Sequence, residues 1–143
     1  MIVKELLRNR ITYPGPDNIV HAWAYLPDLA DTAVRLAEAR ATLGPFETFG
    51  FPGHALTGSD LVAAIESAMG QIYNARRMSW WMVRTVGRLT KVGRELAEFE
   101  YLWKMPHRID GSRLQAAIGG IPHTPLDKAI ARSLRELGYR PKR

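Results

Sequence analysis

Hydrophobic and polar positions change their period most sharply over His21–Ala30. Ala22, Ala24 and Leu26 alternate with Trp23 and Tyr25, which predicts a short strand buried on both faces. Pro27 has no N–H to give a ladder and is expected to end that strand. Asp28 then reads as a helix N-cap with Asp31 at N3, and Leu29, Ala33, Leu36 and Ala37 recur at helical spacing up to about Arg40.

The flanking segments read as cover for this strand–helix unit. Ile2, Val3, Leu6 and Leu7 suggest one or two helical turns, and Ile11–Tyr13 a short β run cut off by the turn cluster Pro14–Asn18. After Leu43-Gly44-Pro45, Phe46–Phe51 alternates as a second strand, ended by Pro52-Gly53. Thr57 and Asp60 form a capping box for a helix striped by Leu61, Ile65, Ala68 and Met69, with Gly70 suited to a left-handed C-terminal position. Ile72–Met78 reads as a third strand, and Ser79 as the cap of a helix from Trp80 that weakens at Gly87. Val92, Leu96, Phe99 and Trp103 fall in helical register before Pro106, and a short helix runs from Ser112 to Gly119. Thr124 as cap, Pro125 at N1 and Asp127 at N3 open a last helix striped by Leu126, Ile130, Leu134 and Leu137. The fold class this predicts is α/β to α+β, a small lobe of short strands and about six helices. Residues 1–70 form a strand–helix–strand–helix portion, 71–138 a mainly helical portion and 139–143 a basic tail.

Composition narrows the partners more than the chemistry. The chain has 143 residues, 46% of them hydrophobic, so one domain with a modest core is expected. No apolar run is long enough to span a bilayer, and the first residues are too charged for a signal-peptide core. Cysteine is absent, which removes disulfide and thiol chemistry and fits a cytoplasmic setting. A net charge of +6 favours an acidic partner such as nucleic acid, an anionic surface or a phosphate-bearing small molecule.

Several chemistries lack their signatures. No Gly-rich phosphate loop, HExxH pattern or nucleophile elbow occurs. His21, His54, His107 and His123 lie far apart in sequence but all border element ends, where they either meet a ligand or else satisfy turn carbonyls or face solvent. Trp23 and Trp103 fall on apolar stripes and read as core, whereas Trp80 and Trp81 cannot both face inward. Arg84, Arg88 and Lys91 share one helical face, which is either a solvated surface or a phosphate contact.

The succession of these motifs resembles a known family. Tyr13-Pro14-Gly15-Pro16 followed by His21–Ala30 is similar to the C-terminal half of extended short-chain dehydrogenases/reductases, the NAD(P)-dependent epimerase/dehydratase group. In that family a strand ending in a Val- or Leu-x-Asp-Leu/Val-Ala pattern feeds a helix, then a strand, a Gly turn and a helix opened by Ser or Thr. Pro106–Arg113 with Ile118-Gly119 resembles its Asp-x-Ser-Arg/Lys segment, and Thr124–Ile130 the start of its last helix. The family's Gly-x-x-Gly-x-x-Gly turn and Tyr-x-x-x-Lys pair do not occur in these 143 residues, and Tyr139 has Arg143 where the Lys belongs. Where sugar-nucleotide members carry a phosphate-binding Arg, this chain has His21.

The resemblance implies the substrate-recognition lobe of an oxidoreductase, truncated or split, and not catalytic as this chain alone. It implies no catalytic, cofactor-binding or metal residue here, with NAD or NADP belonging only to a complete parent enzyme. Candidate substrate contacts are His21, Trp23, His107 and Arg108, with Arg76 and Arg77 for an anionic group. A homo-oligomer, or pairing with a chain carrying the dinucleotide-binding half, is expected to cover the Phe46–Phe51 edge. The rival reading is a basic module for nucleic acid or an anionic surface, using Arg76, Arg77, Arg84, Arg88, Lys91, Arg140, Lys142 and Arg143.

Overall fold

The computed structural model describes residues 3, 5–87, 95 and 97–141. The expectations placed on Ile2, Arg88, Lys91, Val92, Leu96, Lys142 and Arg143 lie outside the described residues. Within them the chain is a small mixed α/β fold of short strands and several helices.

Two two-stranded sheets carry the β structure. β1 (Arg10–Tyr13) pairs in parallel with β4 (Asn74–Arg77), Ile11 opposite Ala75 and Tyr13 opposite Arg77. β2 (Val20–Trp23) pairs antiparallel with β3 (His54–Thr57), and the register sets Trp23 against His54. β1 and β4 fall on the strands expected at Ile11–Tyr13 and Ile72–Met78, although β4 itself is polar and exposed. The predicted strands at 22–26 and 46–51 are corrected: β2 starts at Val20 and stops at Trp23, and Phe46–Phe51 is irregular, with Phe46 88% exposed. The alternation over 46–51 has no neighbour to pair with, because β2 takes His54–Thr57 as its partner instead. Gly53 makes that pairing possible. It sits at φ +56, and a Cβ there would collide with the Trp23 carbonyl oxygen.

Helix α1 (Leu26–Glu38) begins earlier than expected, with Tyr25 as N-cap and Pro27 inside its first turn. Asp28 does not cap it. Its carboxylate instead accepts from the Thr124 N–H and Oγ1, each at 2.6 Å, so neither residue caps a helix. The capping box of α2 (Gly58–Met69) is present on both sides, and Gly70 closes it at φ 65. α3 (Trp80–Gly87), α4 (Ser112–Ile118) and α5 (Leu126–Glu136) follow their predicted positions, Pro125 being the N-cap of α5. The N-terminal apolar run yields only a 3-10 turn over Leu6–Arg8, ended by Asn9 at φ 56. The core joins Leu6, Ile11, Tyr13, Leu61, Ile65, Met69, Tyr73 and Leu134, so it lies where β1, α2 and α5 meet.

α1 is turned against its own pattern. Its buried residues are Asp28 and Thr32, at 8% and 3% exposure, while Leu26 and Val34 on its apolar side stand 72% and 55% exposed. Leu29, Ala30, Ala33 and Ala37 are exposed as well. A strongly amphipathic helix normally buries the apolar stripe, so this face is left without a partner within the described residues.

Candidate functional site

The site grows from β2. Successive strand residues point to opposite faces, so His21 and Trp23 share one. Over that face lies the 3-10 turn Phe99–Trp103 and the segment after it, held by the His107 N–H donating to the Val20 carbonyl at 3.0 Å. The result is a cleft of about 400 Å³ lined by His21, Ala22, Trp23, Phe99, Leu102, Trp103 and His107. That volume lies at the small end of the range for small-molecule sites.

Trp103 is the hub of the wall. Its ring meets Tyr13 edge-on at 5.8 Å, His21 edge-on at 5.5 Å and Trp23 tilted at 6.1 Å, distances in the range where aromatic pairs attract. Gly15 lets the turn approach, because a Cβ there would lie 2.6 Å from the Trp103 carbonyl oxygen. An ion-pair network clamps the turn from outside. Glu100 accepts from Lys104 at 2.7 Å and from Arg84 of α3 at 2.6 Å, and these two cations, Lys104 first, hold its carboxyl below the usual carboxylate range. Nearby, the Trp80 indole N–H donates to the Pro14 carbonyl while Trp81 faces solvent, so the two tryptophans divide as their adjacency required.

His21 is the buried polar centre, at 2% exposure. Its Nδ1 lies 3.1 Å from the Tyr13 hydroxyl, and its ring lies 4.9 Å from that of His107. Burial, and then the neighbouring His107, push its pKa down from 6.5, while the Leu102 backbone pulls weakly the other way. Tyr13 is moved in the opposite sense: burial and then Asp17 push its pKa up from 10.0. Phenol and imidazole are therefore both neutral near pH 7. The Nε2 of His21 and the indole Nε1 of Trp23 are buried and lack a hydrogen-bond partner among the described residues.

The other two histidines form a second pair, and His54 stands opposite Trp23 in the β2–β3 register. The rings of His54 and His123 are 4.6 Å apart, beside the Asp28–Thr124 contact. Burial and His123 lower the His54 pKa, partly offset by Asp28. Histidines remote in sequence are thus gathered two by two, and among the described residues no group of three or more His, Cys, Asp or Glu is placed to hold a metal ion.

Of the predicted contacts, the structure brings His21, Trp23 and His107 into one cleft. Arg108 is exposed and does not line it. Arg76 and Arg77 lie on β4, in a separate groove between β4 and α2, where Arg77 is held by Asp17 at 2.8 Å. Tyr13, Phe99, Leu102 and Trp103 were not foreseen as site residues. Tyr13 had a readable signal, the turn motif that follows it, but its reach to His21 depends on how β1 and β2 cross. No protein-family model matches this chain, and no curated protein matches it.

Proposed function

We propose that this chain is the substrate-recognition lobe of an NAD(P)-dependent epimerase/dehydratase-like oxidoreductase, gripping a small molecule and not catalysing hydride transfer by itself. The aromatic cleft over β2 carries this reading: a concave, largely apolar site with a few convergent polar groups is the form small-molecule sites take. The chemistry of the sequence agrees. These 143 residues contain neither the glycine fingerprint nor a Tyr-x-x-x-Lys pair that would bind and use a dinucleotide.

Two surfaces support a partner for the lobe. The apolar side of α1 faces outward, and β1 with β4 makes a parallel ribbon of only two strands. Parallel strands are normally found inside larger, covered sheets. A second copy related by a two-fold axis would add its edge strand antiparallel, whereas a chain bearing parallel strands, such as a dinucleotide-binding half, extends the ribbon in kind. The second partner is the one proposed.

Titrating NADH or NADPH into the chain should leave nucleotide fluorescence unchanged, and a saturable micromolar response would overturn the reading. A screen of aromatic fragments by protein-observed NMR should move resonances of His21, Trp23 and Trp103. Hits confined to other surfaces would count against the cleft.

A further inference from the structure

We infer that the cleft over β2 selects a neutral, planar molecule presenting a carbonyl-type oxygen, held by the Nε2–H of His21 and the indole N–H of Trp23. This rests on the reading of the cleft as the ligand site and adds the chemical class of its occupant.

The tautomer of His21 follows from Tyr13. If the Tyr13 hydroxyl donates to Nδ1, the imidazole proton sits on Nε2, and one buried group lacks a partner. If Nδ1 donates instead, the hydroxyl hydrogen and a bare Nε2 are both left over, since among the described residues the hydroxyl has His21 as its partner and no second one. The first arrangement leaves fewer buried polar groups unsatisfied. The raised pKa of Tyr13 keeps its proton available to donate.

Two buried N–H groups therefore stand on one face of β2, and the described residues provide neither with an acceptor. An indole N–H can only donate, so the Trp23 group is completed by an acceptor alone. The Leu102 backbone favours the charged form of His21 from nearby, yet it makes no hydrogen bond of proper geometry to Nε2. Buried polar groups without partners are uncommon and costly, and an occupant with oxygen acceptors relieves both.

The walls decide the rest of the class. Trp23, Trp103 and Phe99 offer flat apolar faces, which favours a planar ligand. Among the described residues no Lys or Arg lines the cleft, and burial holds the His21 imidazole neutral, so there an anion loses hydration without gaining a counter-charge. The two donors are covered from bulk water, while Phe99 and His107 of the cleft lining are exposed.

Three probes of one ring size separate the alternatives on the full chain: 2-acetylnaphthalene, 2-ethylnaphthalene and 2-naphthoate, titrated into ¹⁵N-labelled protein. The ketone should bind about tenfold tighter than the hydrocarbon, the worth of one net hydrogen bond in a buried site, and tighter than the carboxylate. It should shift the Trp23 indole N–H resonance, assigned by its loss in Trp23→Phe. That variant keeps an aromatic ring but removes the donor, so it should cost the ketone more affinity than it costs the hydrocarbon and narrow the gap between them. Long-range ¹H–¹⁵N correlations of the His21 ring should show the proton on Nε2, with no need to replace a buried residue. A hydrocarbon that binds as well as the ketone, a tighter carboxylate, or a proton on Nδ1 would overturn the inference and leave the cleft standing. If all three probes leave the cleft resonances unmoved, the proposed binding function fails and the inference with it.

Discussion

His21 and His54 show how burial acts on single groups. Each is shielded, each faces a second imidazole, and both effects favour the neutral ring, so both folded pKa values lie below the ordinary 6.5. A depressed value means that the unfolded chain takes up protons first as pH falls. Their contribution is therefore complete above about pH 6.5 and is lost as pH drops toward the folded pKa values. The urea midpoint should fall between pH 7.5 and pH 5.5, and replacing His54 by Asn should flatten part of that slope. Carboxylates such as Asp60 and Asp110, whose pKa values are lowered by hydrogen bonds from Thr57 and Ser112, lose their protection only at more acid pH. Asp28 makes a different prediction. Both of its oxygens accept from Thr124 while the side chain is nearly buried, and an amide nitrogen cannot accept. Asp28→Asn should cost about 2 kcal/mol, the scale of a hydrogen bond to a charged group, read from urea unfolding at pH 7.5.

Among the elements, α2 and α1 stand at opposite ends of legibility. α2 has its cap, its stripe and its terminator in the sequence, and each does its local work: Thr57 and Asp60 exchange hydrogen bonds at 2.9 and 3.1 Å, and Leu61, Ile65 and Met69 are buried. Thr57→Ala should cost about 1 kcal/mol by the same measurement, because it strips one side of that exchange. α1 has an equally clear stripe, but the fold buries the other side. Asp28 and Thr32 find partners inside, Thr124 for the first and the Asp28 carbonyl, at 2.8 Å, for the second. Polar groups satisfied in this way let the helix dock by its polar side and leave Leu26, Leu29 and Val34 out, with Leu36 half-buried. Periodicity reports that a helix has two faces, and the neighbours decide which one is inside.

At the scale of the whole molecule, the outward face of α1 and the two-stranded parallel ribbon describe a lobe with unfinished surfaces. Leu26→Lys with Val34→Lys should leave the urea midpoint nearly unchanged, since both side chains already stand in solvent, and should abolish any association measured by light scattering or by co-purification with a dinucleotide-binding chain. A large drop in stability would mean that this face is packed in solution. Two of the basic residues already have anionic partners: Arg77 and Arg84 are held by Asp17 and Glu100, while Arg76 lines the groove beside α2.

What the sequence determined by itself was local: the caps and stripe of α2, the glycine ends of α2 and α4, the β runs of β1 and β4, and the absence of dinucleotide and metal motifs. These depend on neighbours within a few residues, where side-chain spacing and backbone preference act directly. The tertiary structure alone decided that β2 pairs with His54–Thr57 and not with Phe46–Phe51, that α1 faces inward with Asp28, and that Trp103 and His107 close over His21. Each of those outcomes turns on a contact between segments remote in sequence. There, the satisfaction of buried polar groups and the fit of large rings outweigh any pattern written along one strand or helix.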